Sequence, residues 1–139
     1  MDISNETDFK RLENCVTIEG SLAFLWFTYN NISFPNLLNI KGGLTIQNID
    51  NLTSARQLLP NLVHIEGHPL SMSLTIKDCK DLEKLDFKKV MKIDSGILWI
   101  VRNPLLCLND MINWPPFQDT YNYIEVCNPE DVNIPFLNF

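Results

Sequence analysis

A mostly β fold is predicted for this 139-residue chain: a single-stranded right-handed β-helix, that is, a leucine-rich-repeat-like solenoid with short helical turns and capped ends. Two recurring patterns and their spacing predict it. The pattern L-x-I-x-x-Φ/N-x-x-L appears at Leu44-Thr45-Ile46 (then Ile49 and Leu52), Leu74-Thr75-Ile76 (then Cys79 and Leu82) and Leu98-Trp99-Ile100 (then Asn103 and Leu106), with a looser first copy at Leu22-Ala23-Phe24. Copies start at 22, 44, 74 and 98, in steps of 22, 30 and 24 residues, the length of one solenoid turn carrying one strand. Between them, Phe34-Pro35-Asn36-Leu37-Leu38-Asn39-Ile40 and Leu59-Pro60-Asn61-Leu62-Val63-His64-Ile65 are near copies of a Φ-Pro-Asn-Leu-x-x-Ile connector. Stacked coils present a broad sheet, which favours a binding module over an enzyme.

Taken in order, Phe9 to Asn14 reads as a short helix or turn leading into the β-branched strand Val16-Thr17-Ile18, and Glu19-Gly20 turns the chain. Leu22 to Thr28 is a longer strand, apolar on both sides, which implies burial on one and cover over the other. In each connector proline fixes φ and removes a donor at the start of the return segment. Leu and Ile three apart point inward, and a glycine (Gly42, Gly67) permits positive φ at the corner. Val90 to Gly96 is a degenerate third connector without the proline. Leu52 to Leu59 and Leu82 to Phe87 read as short helical or 3₁₀ turns on the third side of the coil. Alternation along the strands directs Leu44, Ile46, Leu74, Ile76, Leu98 and Ile100 inward. It directs Ala23, Leu25, Thr45, Gln47, Thr75, Lys77, Trp99 and Val101 outward, in rows across one face. After Leu106-Cys107-Leu108 the chain becomes aromatic and proline-rich (Trp114-Pro115-Pro116-Phe117, Tyr121-Asn122-Tyr123), as a lid over the last coil should be. Residues 128–139 carry no periodicity and read as an extended or loose tail.

The length allows one domain, and 45% hydrophobic residues suffice for a core. A net charge of -6 argues against nucleic acid, which requires a basic face, and against anionic membrane surfaces. There is no run of about 18 apolar residues, so no helix of this segment inserts into a bilayer. The opening Met1-Asp2-Ile3-Ser4-Asn5-Glu6 lacks the basic and apolar regions of a signal peptide; either such a segment has been removed or Met1 is internal to a longer precursor. Three Asn-x-Ser/Thr sequons, at Asn5, Asn31 and Asn51, support secretion and are candidate glycosylation sites. Leu52 is a core position of the repeat, so Asn51 must sit in a turn. The four cysteines include no C-x-x-C, which disfavours zinc. His64 and His68, beside Gly67 and Pro69, read as solvated loop histidines, and no metal or cofactor is expected. Asp78, Asp81, Glu83 and Asp86 interleave with Lys80, Lys84, Lys88 and Lys89, which reads as a solvated helix or turn rather than a calcium site.

Four ordered blocks carry a family resemblance. They are Arg11-Leu12-Glu13-Asn14-Cys15-Val16-Thr17-Ile18-Glu19-Gly20 with Leu22, the connectors extended to Φ-Pro-Asn-Leu-x-x-Ile-x-Gly, Ser95-Gly96-Ile97-Leu98-Trp99-Ile100-Val101-Arg102-Asn103-Pro104 with Leu106-Cys107, and Ile112-Asn113-Trp114. Together they resemble the receptor L domain, found in the extracellular part of insulin- and EGF-receptor tyrosine kinases. The resemblance covers roughly residues 1–127, making 128–139 the tail. It is strongest to the first L domain of the insulin-receptor branch and extends more loosely to nematode L-domain proteins without a kinase. It implies a capped β-helix, outside the cell, that binds a protein or peptide ligand through one sheet face. Carried onto matching positions, it implies a cap disulfide between Cys107 and Cys127. Cys15 matches a cysteine whose family partner lies upstream, which implies that it is unpaired here, with a Cys15–Cys79 bond as the alternative. Cys79 sits at a coil corner and reads as a buried thiol. Asp78 and Arg102 match charged positions of the family's ligand face. Where that face carries phenylalanines in the hormone-binding relative, this sequence has Thr28, Gln47 and Ser71, so insulin itself is a poor expectation.

The sequence therefore points to an extracellular ligand-binding module of a receptor ectodomain or a secreted decoy. Its candidate face comprises Ala23, Leu25, Trp26, Thr28, Thr45, Gln47, Thr75, Lys77, Asp78, Trp99, Val101 and Arg102. Exposed Trp and Leu among polar residues suit a contact patch; the alternative for Trp26 and Trp99 is packing beneath a loop or glycan. The competing reading is a structural spacer or a homo- or hetero-dimerisation domain with no ligand of its own. Catalysis is not expected, since the outward rows hold no paired carboxylates and no Ser-His-Asp set is visible.

Overall fold

Aliphatic side chains stack in register from coil to coil, and this ordering defines the architecture. The computed structural model describes residues 1–88, 90–107, 121–125 and 136–138. The expectations placed on 108–120, including Trp114 and its neighbours, and on Cys127 lie outside the described residues. The elements run β1 (Asp2–Ile3), α1 (Glu6–Leu12), β2 (Thr17–Ile18), β3 (Leu22–Thr28), β4 (Asn39–Ile40), β5 (Leu44–Asp50), α2 (Ala55–Leu58), β6 (His64–Ile65), β7 (Met72–Lys77), β8 (Lys92–Ile93), β9 (Ile97–Val101), β10 (Tyr121–Ile124) and β11 (Phe136–Asn138). Long strands form a seven-stranded sheet in the order β1-β3-β5-β7-β9-β10-β11, and short strands form a second sheet, β2-β4-β6-β8. The fold is thus a β-solenoid of about four turns.

Pairing is parallel throughout both sheets except for β10 with β11. Leu22, Leu44, Leu74 and Leu98 align in one column, and Phe24, Ile46, Ile76, Ile100 and Ile124 in the next. On the facing sheet Ile18, Ile40, Ile65 and Ile93 align in the same way. All of these are buried aliphatic or aromatic side chains of one continuous core. The two sheets face each other because each coil contributes one inward set to each.

The third side differs between coils. Around α2 a capping box forms: Ser54 Oγ accepts from Arg56 N–H, and Gln57 Oε1 accepts from Ser54 N–H. The expected helical turn at 82–87 is not formed. Glu83 and Lys84 instead donate their N–H groups to the Thr53 carbonyl, at 2.9 and 3.2 Å, and Cys107 N–H donates to the Glu83 carbonyl. Those bonds run between coils, so they compete with an intrahelical ladder and win. The corner glycines also divide. Gly67 has φ +71, and a Cβ there would run into the Ser95 carbonyl. Gly42, expected at positive φ, is not in that region; it is needed for space, because a Cβ would lie 2.8 Å from the Gly20 carbonyl carbon.

The two ends of the solenoid differ. At the start, α1 is capped by Asn5, whose Oδ1 accepts from Asp8 N–H at 3.0 Å. Phe9 on this helix packs edge-on against Phe27 at 5.1 Å, and Phe24 meets Phe34 at 5.7 Å, an arrangement that closes the first coil. At the other end β10 extends the ladder in parallel and β11 returns antiparallel to it. The segment 128–139, expected to be extended or loose, thus includes an extended strand at Phe136–Asn138.

Among the described residues three polar side chains are buried, those of Ser54, Ser73 and Asn103, and Asn103 ties two coils together. It is buried; its Oδ1 accepts from Cys79 N–H at 3.0 Å and its Nδ2 donates to the Ile76 carbonyl at 2.9 Å. One amide thus satisfies two backbone groups of the preceding coil. Asn103→Ala leaves both unpaired, and a loss of about 2–4 kcal/mol in urea unfolding is expected.

The cysteines sort cleanly. Cys107 is disulfide-bonded, while Cys15 is free and half-buried and Cys79 is free and buried, which excludes the Cys15–Cys79 bond. Burial pushes the Cys79 thiol up to about 11. Below pH 9 the thiol is neutral in both folded and unfolded chains and contributes no pH dependence. Above it the unfolded chain loses the proton first, so stability falls between pH 9 and 11 by roughly 2–3 kcal/mol. Alkaline unfolding of Cys79→Ala should lack this component, and in the native protein a thiol reagent should label Cys15 while sparing Cys79 until the chain unfolds.

Candidate ligand-binding face

The outward side of the seven-stranded sheet carries two rows set by register. The first is Ala23, Thr45, Thr75, Trp99 and Tyr123; the second is Leu25, Gln47, Lys77 and Val101. One residue beyond the second row, every coil enters the left-handed region: Trp26 at φ 57, Asn48 at 54, Asp78 at 57 and Arg102 at 55. The kink resets the alternation, so that Phe27, Ile49, Cys79 and Asn103 face inward although they lie two residues after an outward position. Regular alternation would have turned residues 26, 48, 78 and 102 into the core. The kink instead turns them out, and Trp26 is 67% exposed. Asn and Asp tolerate this backbone; a Trp held there costs about 1–2 kcal/mol.

Charges are paired along this corner. Arg102 grips Asp78 with two bonds, Nε to Oδ1 at 2.7 Å and Nη2 to Oδ2 at 3.0 Å. Arg102 N–H donates to Glu125 Oε1 at 3.2 Å, and Lys80 lies 3.8 Å from Asp50. The bond from Arg102 holds the Asp78 carboxyl below its ordinary value of 3.8, and Asp78 in turn raises the Arg102 guanidinium. Asn48 lies between Trp26 and Asp78, its Oδ1 buried without a hydrogen-bond partner.

Two expected surface residues are covered. Val101 is outside the core cluster yet only 3% exposed. Its strand neighbour on one side is Lys77, and on the other the chain after Ile124 brings Glu125 alongside. Trp99 is half-buried and stacks on Tyr123, ring centroids 4.6 Å apart at 22°. Thr28 is exposed, while Ala23, Leu25, Thr45, Gln47, Thr75, Lys77 and Asp78 are half-buried. The face therefore offers a continuous, mostly polar sheet with one prominent aromatic at its kinked corner.

Sequence reasoning missed Leu70 and Met72, 88% and 43% exposed, which sit at the start of β7 beside exposed Ser71. The 30-residue step between copies, longer than the others, was the available signal: surplus residues must bulge outside a register that the core holds fixed. His64 was also misjudged. It lies on β6, and its Nε2 is 2.8 Å from Asp94 Oδ2; only His68 is an exposed turn histidine, its Nδ1 accepting from Leu70 N–H. Among the described residues no three His, Cys, Asp or Glu side chains gather as a metal site would, and no helix is long and apolar enough to cross a membrane.

A parallel solenoid with this capped, in-register coil is matched by a known family. Residues 14–117 fit the family model of the receptor L domain, and the chain belongs to that family. Among its relatives, it is 33% identical over 123 residues to the insulin-like peptide receptor of Branchiostoma lanceolatum, covering 82% of this chain and 9% of that protein. It is 33% identical over 135 residues to the insulin-like growth factor 1 receptor of Xenopus laevis, covering 89% and 10%. It is likewise 33% identical over 137 residues to the insulin receptor of the same species, covering 91% and 10%. The chain thus spans about a tenth of the length of these curated relatives.

The Asp78–Arg102 grip joins two coils across the face. In a double-mutant cycle with Asp78→Asn and Arg102→Gln at pH 7, the double variant should lose less stability than the two single losses added together. Because the Asp78 pKa is depressed in the folded state, its contribution is present above 3.8 and is lost as pH falls through the lower folded value. The coupling should therefore fade in acid, which the same cycle repeated below pH 3.8 will read.

Proposed function

We propose that this domain is an extracellular ligand-binding module, part of a receptor ectodomain or a secreted decoy. It binds a protein or peptide through the outward face of its seven-stranded sheet. The observation that carries this reading is the kinked corner, where Trp26 is held in a strained backbone and turned out to solvent beside a sheet of half-buried polar residues. Membership of the receptor L domain family, and relatives named as receptors for insulin-related peptides, support it. The contact set comprises Trp26 and Leu25, the Thr45–Thr75 and Gln47–Lys77 rows, the Asp78–Arg102 pair, and Leu70 with Met72 on the adjoining border. Thr28, Gln47 and Ser71 give this face a polar character that supports a ligand other than insulin. The domain performs no catalysis on this reading; its paired carboxylate, Asp78, is committed to Arg102.

The burial of Val101 and the stacking of Trp99 on Tyr123 remove apolar area from the face, and they favour the second reading, a spacer or dimerisation unit. A stable dimer of the purified domain by light scattering, with no captured partner, would support that reading instead.

The domain, immobilised with its native glycans, serves to capture a partner from extracellular fluid. Against that partner, Trp26→Ala should weaken binding at least about tenfold, with Leu70→Ala weaker by a smaller factor. Unchanged affinity in both variants would remove this face from the proposal.

A further inference from the structure

Charge on the outward side of the seven-stranded sheet is unequally committed. The first row starts at Asp2 on the edge strand and is neutral from Ala23 to Tyr123. The carboxylates that border the second row are engaged. Asp78 takes two bonds from Arg102, Glu125 accepts from Arg102 N–H, and Asp50 lies 3.8 Å from Lys80. Lys77 is different. It sits in the second row between Gln47 and Val101 and is half-buried. Among the described residues it makes no ion pair and no side-chain hydrogen bond. The other described lysines and arginines without an ion pair, Lys10, Arg56, Lys84 and Lys88, lie on α1, on α2 or between β7 and β8, away from this face.

The register places this amino group where a ligand must meet it. Leu25 and Gln47 hold the same row in the two preceding coils, so the charge belongs to the third coil and not to the row. Trp26, the exposed aromatic, stands one residue past Leu25 and two strands from Lys77, about 10 Å across the sheet. A ligand lying from Trp26 to Val101 therefore covers Lys77 and strips water from its ammonium. That desolvation is compensated only if the ligand brings an acceptor of opposite charge. The net charge of -6 repels an acidic partner at long range, which confines the attraction to a carboxylate seated on Lys77 itself. Asp2 is three strands away, about 14 Å, too far to neutralise it.

We propose that Lys77 is the specificity-determining residue of this face, and that its ligand is a peptide segment presenting a carboxylate to the Lys77 ammonium and an apolar side chain to Trp26. The inference rests on the binding reading above and narrows it to one ligand chemistry. Trp26 supplies contact area without a charge preference, since an exposed aromatic accepts any apolar side chain. Lys77 supplies the discrimination: a basic residue placed over it is repelled, and a neutral one leaves the ammonium desolvated and unpaired. Arg102 does not duplicate the role, because its guanidinium is already held by Asp78.

The test uses random heptapeptides displayed on phage, selected on the immobilised full chain, on Lys77→Gln, on Lys77→Glu and on Lys84→Gln as a control away from the face. Seven extended residues reach about 24 Å, enough to span Trp26 and Lys77. Peptides selected on the parent and on Lys84→Gln should be enriched in Asp or Glu together with an aromatic or aliphatic residue. Synthetic copies should bind Lys77→Gln about five- to tenfold more weakly than the parent. They should bind Lys77→Glu more weakly still, and the parent more weakly as salt rises. Selection on Lys77→Glu should exchange the acid for Lys or Arg. The thermal midpoint of Lys77→Gln should stay close to that of the parent, which separates binding from folding. Peptides that lose affinity in Trp26→Ala yet carry no acid, or that bind Lys77→Gln as well as the parent, overturn the role of Lys77 and leave the binding face standing. Peptides indifferent to Trp26→Ala, or no selection above background, overturn both.

Discussion

Like side chains lying over like, in exact parallel register, is the constraint from which the rest of this structure follows. Leucine is over leucine and isoleucine over isoleucine along both sheets, with Phe24 at the head of one isoleucine column. In a parallel ladder a slip of one residue would turn every inward side chain outward, so the columns fix where each coil begins and ends. Everything that varies in length must be accommodated elsewhere. The third coil shows this: its surplus residues bulge between Gly67 and Met72, and the strand after them rejoins the columns through a bulge between Met72 and Leu74.

What could be read from the sequence was what the columns dictate. Leu-x-Ile strands and the Leu-x-x-Ile connectors name their own inward residues, because those residues answer only to a local period. What could not be read depends on chain that is distant in sequence but adjacent in the stack. His64 is tied down because Asp94, 30 residues on, lies within 2.8 Å. At 82–87 the local pattern suits a helix, but Thr53 in the preceding coil offers its carbonyl first. The left-handed corner was half-legible: Asn48 and Asp78 are residues that tolerate it, Trp26 and Arg102 are not, and only the aligned register shows that all four share one conformation.

The capping of the solenoid separates two tasks that a flat sheet would combine. Aromatic packing of Phe9 on Phe27 closes the first coil, and an antiparallel strand, β11, follows the last parallel one. With its ends engaged in this way, the outward sheet need contribute little to holding the coil together. Its half-buried threonines, glutamine and lysine lie outside the core cluster.

The row at residues 26, 48, 78 and 102 has a consequence for how such domains diversify. Four successive coils hold the same backbone conformation there, spaced at the strand interval of about 4.8 Å, with Trp26 and Arg102 exposed at its two ends. The row works like the type slots of a printing frame: the frame keeps pitch and orientation constant, and the characters can be exchanged one at a time. Trp, Asn, Asp and Arg are one such line of characters. A duplicated copy of the domain could acquire a new vocabulary by single substitutions in this row, with no repacking of the columns beneath it.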